Sequence, residues 1–324
     1  MPDPAAPNYP PPNPPTLNHV IGQKQVVDRL KVALDASFAD NQPFPHTLFL
    51  GPPGLGKTSL AQLVAREMAS EFVDGLGQAL ATPTILGGWL LRPAVDRAVL
   101  LIDEIHSLPP PCQLLLLRAI EERAVFVQNP YTQSIAKMQT VRFTLCGATT
   151  DPQLLLPPLR DRFRLVCQLE PYSNDEIADI LRQRVRQLGW QVDEACFEAI
   201  AARSFGTPRI AIRLLESAYR TARSEGGTHV DYGHLLRTLS LEQLDEYGLG
   251  SDEQKYLLLL SEASAPVRVG VLAGKMRTTH LVLSQVIEER LLYLDLIERL
   301  PQGRILTGKG SEHARKLKQE ANRA

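Results

Sequence analysis

The stretch Gly51-Pro52-Pro53-Gly54-Leu55-Gly56-Lys57-Thr58 leaves this chain few folds to choose from. It satisfies G-x-x-x-x-G-K-[ST], a loop whose glycines let backbone N–H groups turn inward around phosphate oxygens. Such a loop works only between a strand and a helix, and both flanks fit. Thr47-Leu48-Phe49-Leu50 is a short apolar run that reads as a buried strand, and Ser59 to Ala65 has the apolar spacing of a helix. Lys57 can then reach the β- and γ-phosphates of a nucleotide, and the Thr58 hydroxyl can ligate Mg²⁺. The helix start adds its partial positive charge. The expected nucleotide-binding set is therefore Gly51 to Thr58 together with Ser59. A ligand-free glycine-rich turn is the alternative, and a chance match in a chain this long is roughly a one-in-a-hundred event.

At 324 residues, 44% of them apolar, the chain has material for two or three domains with cores of their own. Its net charge of −1 confines any nucleic-acid contact to a local patch. Cys112, Cys146, Cys167 and Cys196 are scattered without a C-x-x-C pair and read as buried thiols in a reducing compartment. No apolar run approaches the ~20 residues that span a bilayer, and no basic-then-apolar leader opens the chain. The expectation is a cytoplasmic, nucleoid-associated protein with no membrane contact.

Residues 1–15 hold so many prolines that they read as an extended tail. From 16 to 172 apolar runs alternate with helical segments, the pattern of a parallel sheet covered on both faces. Strands are expected at 47–50, 98–103, 142–148 and 164–169, with another somewhere in 70–85. Between 173 and 245 strands vanish and helices follow one another, at 174–188, 194–204, 208–224 and 232–239. From 246 to 324 the pattern is helix 252–262, helix 268–275, a long helix 279–293, then strand–turn–strand over 296–307. Three helices followed by a β-hairpin wing is a winged-helix pattern.

Val99-Leu100-Leu101-Ile102-Asp103-Glu104 is an apolar strand that ends in two acids. Phosphoryl transfer needs an acid near the metal and, for hydrolysis, a base that orients water. Asp103 fits the first role, directly or through a metal-bound water, and Glu104 the second. His106 is expected to position the loop after this strand.

The P-loop followed by Ile102-Asp103-Glu104-Ile105-His106 resembles the AAA+ ATPases. Gly147-Ala148-Thr149-Thr150 resembles their sensor-1 strand, which implies that Thr150 emerges beside Glu104 and reads the γ-phosphate. Pro158-Leu159-Arg160-Asp161-Arg162-Phe163 is similar to their arginine-finger segment, with Arg162 in the finger position. Gly206-Thr207-Pro208-Arg209 resembles the opening of the lid helix, with Thr207 as N-cap and Arg209 as sensor 2. Within AAA+ the series, ending in a winged helix, is most similar to the RuvB family, over roughly residues 16–310. That resemblance implies a P-loop α/β core, an all-α lid and a C-terminal winged helix. It also implies ATP hydrolysis with Mg²⁺ at the subunit interfaces of a hexameric ring, driving branch migration of Holliday junctions. Ile21 and Tyr172 match positions lining the nucleotide pocket, and Arg299 and Arg304 match DNA-contacting arginines.

Seven Lys/Arg against two Glu from residue 299 onward give a local charge of +5, which suits sequence-blind contact with duplex or four-way-junction DNA. The chain departs from the family at three places. Asn13-Pro14 stands where an Arg-Pro pair is usual, the hairpin 124–140 lacks a Gly/Ala-rich tip, and His280 replaces an arginine. In the family that hairpin docks on the adaptor RuvA, so a RuvA-like partner is implied by resemblance alone. A clamp-loader-like or partner-remodelling ATPase with another adaptor remains the alternative, as does a non-hydrolysing switch.

Overall fold

A computed structural model describes residues 13–92, 97–128, 135–140 and 142–321. The chain divides into two compact units, one ending at Tyr172 and the other starting at Ser173. The tail up to residue 12 and the hairpin tip 129–134 lie outside the described residues.

The first unit is built on strands β1 (Thr47–Leu50), β2 (Phe72–Leu76), β3 (Val99–Asp103), β6 (Thr144–Thr149) and β7 (Leu165–Gln168). They form one sheet in the order β2-β3-β6-β1-β7, every neighbouring pair parallel. Leu48, Leu100, Ile102 and Leu145 are fully buried, as strands covered on both faces must be. Helix α1 (Lys24–Ala39) precedes β1, and α2 (Lys57–Glu67), α3 (Pro83–Leu90), α4 (Pro110–Glu122) and the single turn α5 (Pro157–Arg160) fill the connections. Between β3 and β6, β4 (Ala124–Gln128) and β5 (Ile135–Gln139) pair antiparallel as a separate hairpin. The four expected strands are found, and the unplaced one is β2. Asn13 to Leu17, which the sequence reading divides between tail and core, lies along α2. Pro15 O accepts from Arg66 at 2.9 Å, and Leu17 N donates to Glu67 at 3.1 Å.

The second unit opens with α6 (Asn174–Leu188), closed at its start by a reciprocal Ser173–Glu176 capping box and at its end by Gly189 at φ 65°. Then come α7 (Glu194–Ala201), α8 (Pro208–Ser224) and α9 (Tyr232–Leu241). The expectation that strands vanish here needs correcting. Two-residue strands β8 (Gln191–Val192) and β9 (His229–Val230) pair in parallel and tie the loops before α7 and α9 together. Next are α10 (Ser251–Ser261), α11 (Val269–Met276), α12 (His280–Val282) and α13 (Glu288–Tyr293). The expected single helix 279–293 is interrupted by a π turn over Leu283–Ile287. The wing is β10 (Ile297–Leu300) paired antiparallel with β11 (Gly303–Leu306), and α14 (Gly308–Ala321) follows. Tyr256, Leu257, Leu272, Leu291 and Leu296 form the core of this part.

All four cysteines are free and buried, as the sequence suggests. Burial pushes the Cys167 and Cys196 thiols up to about 11, which keeps them protonated and unreactive.

His46 locks β1 to β6. Its Nδ1 accepts the Leu145 N–H at 2.8 Å while its own carbonyl accepts from Leu165 N at 3.3 Å. Burial, helped by the positive charge of Arg164, lowers the imidazole from 6.5 to about 4. Between those values the unfolded chain binds a proton that the native one refuses, so stability falls as pH drops through this window. His46→Asn keeps an acceptor for Leu145 but has no proton to gain. Denaturant unfolding at neutral pH and near pH ~4.5 should show the wild type losing about 2–3 kcal/mol more than the variant.

Candidate functional site

Because all five strands of the first sheet run parallel, the segments after β1, β3 and β6 leave from the same edge. Open α/β sheets bind ligands at that edge. The chain leaves β1 through Gly51 at φ 136°, where a Cβ would stand 2.7 Å from the Leu169 carbonyl oxygen. Only glycine permits that approach. Gly54 and Gly56 also have positive φ, at 84° and 102°. Gly56 is the N-cap of α2 and brings no side chain to the first-turn N–H groups, which are left for a ligand. The Lys57 ammonium folds back over the loop, donating to Gly51 O at 2.6 Å and Pro52 O at 3.0 Å. Leu55 is buried, Pro52 and Pro53 are exposed, and Thr58 is half-buried in the first turn of α2. Ser59 donates to Asn13 Oδ1 at 2.7 Å, and Asn13 also bonds Gln62. The asparagine that replaces the family's arginine thus braces the P-loop helix.

Asp103 ends β3, and its Oδ1 accepts the Glu104 N–H at 3.0 Å. Glu104 has φ 50°, and its carbonyl accepts from Ser107 Oγ at 2.7 Å and Ser107 N at 2.8 Å. A non-glycine residue with positive φ is strained, and here its backbone is held from outside. Glu104 Oε2 lies 3.3 Å from His106 Nδ1, and the same nitrogen lies 2.8 Å from Thr149 Oγ1. His106 therefore joins the acid after β3 to the end of β6, beyond the loop-positioning role read from sequence. Thr149 is fully buried and also accepts from Asp151 N at 2.9 Å. Thr150, the expected sensor, is exposed, and its hydroxyl meets Asp151 Oδ2 at 3.3 Å. The link to Glu104 is thus carried by Thr149, which the sequence reading passed over. Strand alternation could have found it, since Cys146, Ala148 and Thr150 share one face and Leu145, Gly147 and Thr149 the other.

Tyr172 is buried, and its hydroxyl donates to Leu55 O at 3.1 Å, closing the far side of the loop. Gln23 fixes the approach to it, bonding the Glu170 carbonyl at 2.6 Å and the Glu170 N–H at 3.3 Å. Ile21, two residues before, is half-buried. Arg162 is half exposed and paired with Glu121 of α4.

Arg209 lies in the second unit, exposed in the first turn of α8. Thr207 occupies the N-cap position, yet its hydroxyl turns back to Phe205 O at 3.4 Å, leaving the helix N–H groups alone.

Arg299 and Arg304 stand directly opposite each other on the wing. Neither is merely a solvated charge. Arg299 Nε donates to Glu288 Oε2 at 2.7 Å, Arg304 Nε to Glu288 Oε1 at 3.0 Å, and Tyr256 OH to the same Oε1 at 2.7 Å. Burial by itself would raise the Glu288 carboxyl, but hydrogen bonds from Arg304, Tyr256 and Arg299 outweigh it and hold it below the ordinary carboxylate value.

The two threonines can be told apart by experiment. Thr149→Val keeps the shape but strands the Asp151 N–H and the His106 nitrogen, and should cost about 1–3 kcal/mol in denaturant unfolding. Thr150→Val touches an exposed hydroxyl and should stay within about 0.5 kcal/mol of wild type.

Three family models match consecutive parts of the chain. They are the Holliday junction DNA helicase RuvB P-loop domain over residues 13–169, the RuvB AAA lid domain over 172–245, and the RuvB C-terminal winged-helix domain over 246–315. The chain is 38% identical to Holliday junction branch migration complex subunit RuvB 2 of Synechococcus sp. (strain JA-3-3Ab), over 93% of this chain and 82% of that one. It is 36% identical to the RuvB subunit of Paramagnetospirillum magneticum, over 93% and 87%. Among solved structures, the Thermotoga maritima RuvB Holliday junction branch migration motor superposes with a TM-score of 0.79 at 33% identity, covering 94% of this chain and 98% of that one. A point mutant of the same motor gives 0.81 at 32% identity, with the same coverage. With the P-loop, the acid-tipped β3 and the winged helix in one chain, the chain belongs to the RuvB family of AAA+ P-loop ATPases.

Proposed function

We propose that this chain is an ATP-driven DNA motor that moves the branch point of Holliday junctions. The observation that carries this is the convergence of the P-loop, Asp103-Glu104 and the sensor strand at one sheet edge, in a chain that also carries a basic wing. The reading divides it into a tail (1–15), an ATPase core (16–172), a lid (173–245) and a DNA-binding winged helix (246–324).

Lys57 and the loop N–H groups bind the β- and γ-phosphates, and Ser59, Ile21 and Tyr172 line the nucleotide. Among the described residues no group of three or more His, Cys, Asp or Glu is gathered to hold a metal. The hard oxygens of Thr58 and Asp103 instead suit a Mg²⁺ that arrives on phosphates. When bound, the ion neutralises charge across the transferred phosphoryl group. Glu104 orients the attacking water, with His106 and Thr149 fixing its carboxylate. Thr150 and Arg209 report on the γ-phosphate from core and lid. Arg162 leaves Glu121 to reach the γ-phosphate bound by a neighbouring subunit, which requires a ring, hexameric in this reading. Among the described residues no helix is long and apolar enough to cross a membrane, in keeping with work in the cytoplasm on the nucleoid.

The decisive experiment is ATP-dependent migration of a synthetic four-way junction by the purified protein, with and without RuvA. Migration in either arm supports the reading. ATPase activity without migration in both arms favours a remodelling ATPase with another adaptor.

Two sets of variants test the assigned residues. Lys57→Ala should lose nucleotide binding, whereas Glu104→Gln should bind ATP and fail to hydrolyse it; turnover of the latter near the wild-type rate would remove Glu104 from the role of base. Arg162→Ala should be inactive alone yet regain activity in mixed rings with Lys57→Ala. Arginine fingers contribute roughly 10³–10⁵ in rate, so even partial rescue is measurable.

A further inference from the structure

Glu288 is fully buried, it is acidic, and the reading of the wing as a DNA contact gives it no part. It belongs to none of the strands it serves. It is the first residue of α13, immediately after the π turn Leu283–Ile287. A π turn inserts one residue into the helical repeat and so re-phases everything that follows. From that position one carboxylate oxygen takes Arg299 and the other takes Arg304, while Arg299 Nη2 also donates to the π-turn carbonyl of Ser284 at 2.9 Å.

Two like charges directly opposite on an antiparallel pair repel. The ladder register sets Arg299 opposite Arg304, and the shared Glu288 carboxylate offsets the repulsion that this register creates. Each guanidinium has five N–H donors. One of each is spent on Glu288 and one more of Arg299 on Ser284, so the bridge anchors both without exhausting either. The Tyr256 phenol, held protonated by burial and by its bond to Glu288, donates to that carboxylate from the core side. Arg290 of α13 and Glu253 of α10 pair with each other at 2.7 Å.

We propose that Glu288 is a positioning residue for DNA: it holds the two wing arginines together on one face so that both meet backbone phosphates at once. The proposal rests on the reading of the wing as a DNA contact.

A positioning carboxylate and a merely neutralising one predict opposite signs. Glu288→Gln removes a negative charge from beside the wing arginines, so if neutralisation were its only effect, DNA would bind more tightly. If Glu288 positions, the amide serves one arginine as acceptor and repels the other with its own N–H, and a phosphate contact is lost. The test is anisotropy titration of the full-length protein with a labelled random-sequence duplex across a range of salt. Losing one contact should flatten the slope of log affinity against log salt by about 0.9 and weaken binding about eightfold at 0.1 M salt.

Glu288→Asp keeps the charge but is one methylene too short to span both guanidinium groups, and it should weaken binding in the same direction. It carries the test if the glutamine variant is unfolded at the assay temperature. Binding at or above wild-type strength by a folded E288Q, or wild-type binding and slope by E288D, overturns the proposal. The double variant Arg299→Ala, Arg304→Ala separates this from the reading beneath it. If that variant binds DNA as wild type does, the wing is not the contact. If it is weakened while both Glu288 variants are not, only the role of Glu288 falls.

Discussion

A missing side chain at residue 147 governs how the catalytic edge of this chain is put together. Gly147 lies in the middle strand of the sheet, and a Cβ there would stand 3.0 Å from Leu48 Cδ1, 3.1 Å from Ile105 Cδ1 and 3.2 Å from Phe163 Cζ. Those atoms belong to the strand feeding the P-loop, the turn after the two acids and the residue after Arg162. Each is packed onto the same patch of bare backbone. Interiors are packed about as densely as organic crystals, so a methyl group added at such a point displaces its neighbours. Here the neighbours are the three segments that carry Lys57, Glu104 and Arg162.

The cations of the candidate sites are already partnered within the chain, and the partnerships differ in strength. Lys57 rests on two carbonyls of its own loop. Arg162 is paired with Glu121 where both side chains are substantially exposed. An exposed pair is worth about 0–1 kcal/mol, so Arg162 can be drawn away by a phosphate at little cost. Glu288 is different in kind. Removing a partner from a buried ion pair costs about 3–5 kcal/mol, because an uncompensated charge is left behind. The Glu288 carboxylate is fully buried and gives up a guanidinium less readily than Glu121 does, whereas Arg162 is free to exchange partners. In the proposed function, a finger that acts in one subunit's site and then lets go suits the first kind of pairing, and a standing contact with duplex DNA suits the second.

Much of this was legible in the sequence because local signals were strong and agreed with the packing. The strand at 47–50 and the helices at 174–188 and 208–224 have the bounds read from the chain, each set by a cap, a glycine or a proline. What stayed hidden depended on contacts distant in sequence. The strands β8 and β9 are two residues long and exist only because the loops at 191 and 229 meet. The π turn has no composition of its own. Thr149 and Thr150 are chemically identical, and only burial decides which of them reaches His106. Glu288 looks like one more acid on a helix with Glu289, until the wing folds over it. Gln23 carries no local signal, yet it clamps Glu170, 147 positions away.

The lid and the winged helix are joined by more than a linker. Asp245, at their boundary, accepts from Tyr247 N and Leu249 N through Oδ1, meets His313 Nε2 at 2.8 Å through Oδ2, and takes Arg203 Nε on its carbonyl. One residue thus ties the end of α7, the start of the winged helix and α14. A second tie runs through Phe205, which has φ 53° and directly precedes Gly206-Thr207-Pro208-Arg209. Its ring lies edge-on to Tyr293 and beneath the Arg290 guanidinium, 5.3 Å from the centroid. Arg290 in turn pairs with Glu253 in the core of the winged helix. The backbone that presents Arg209 is therefore held by side chains of the winged helix. Force cannot pass through a joint that yields, and polar pairs that are short, buried and multiply bonded yield least. In the proposed function, the stiffness needed between Arg209 and the wing is built from Asp245, His313, Phe205 and Arg290.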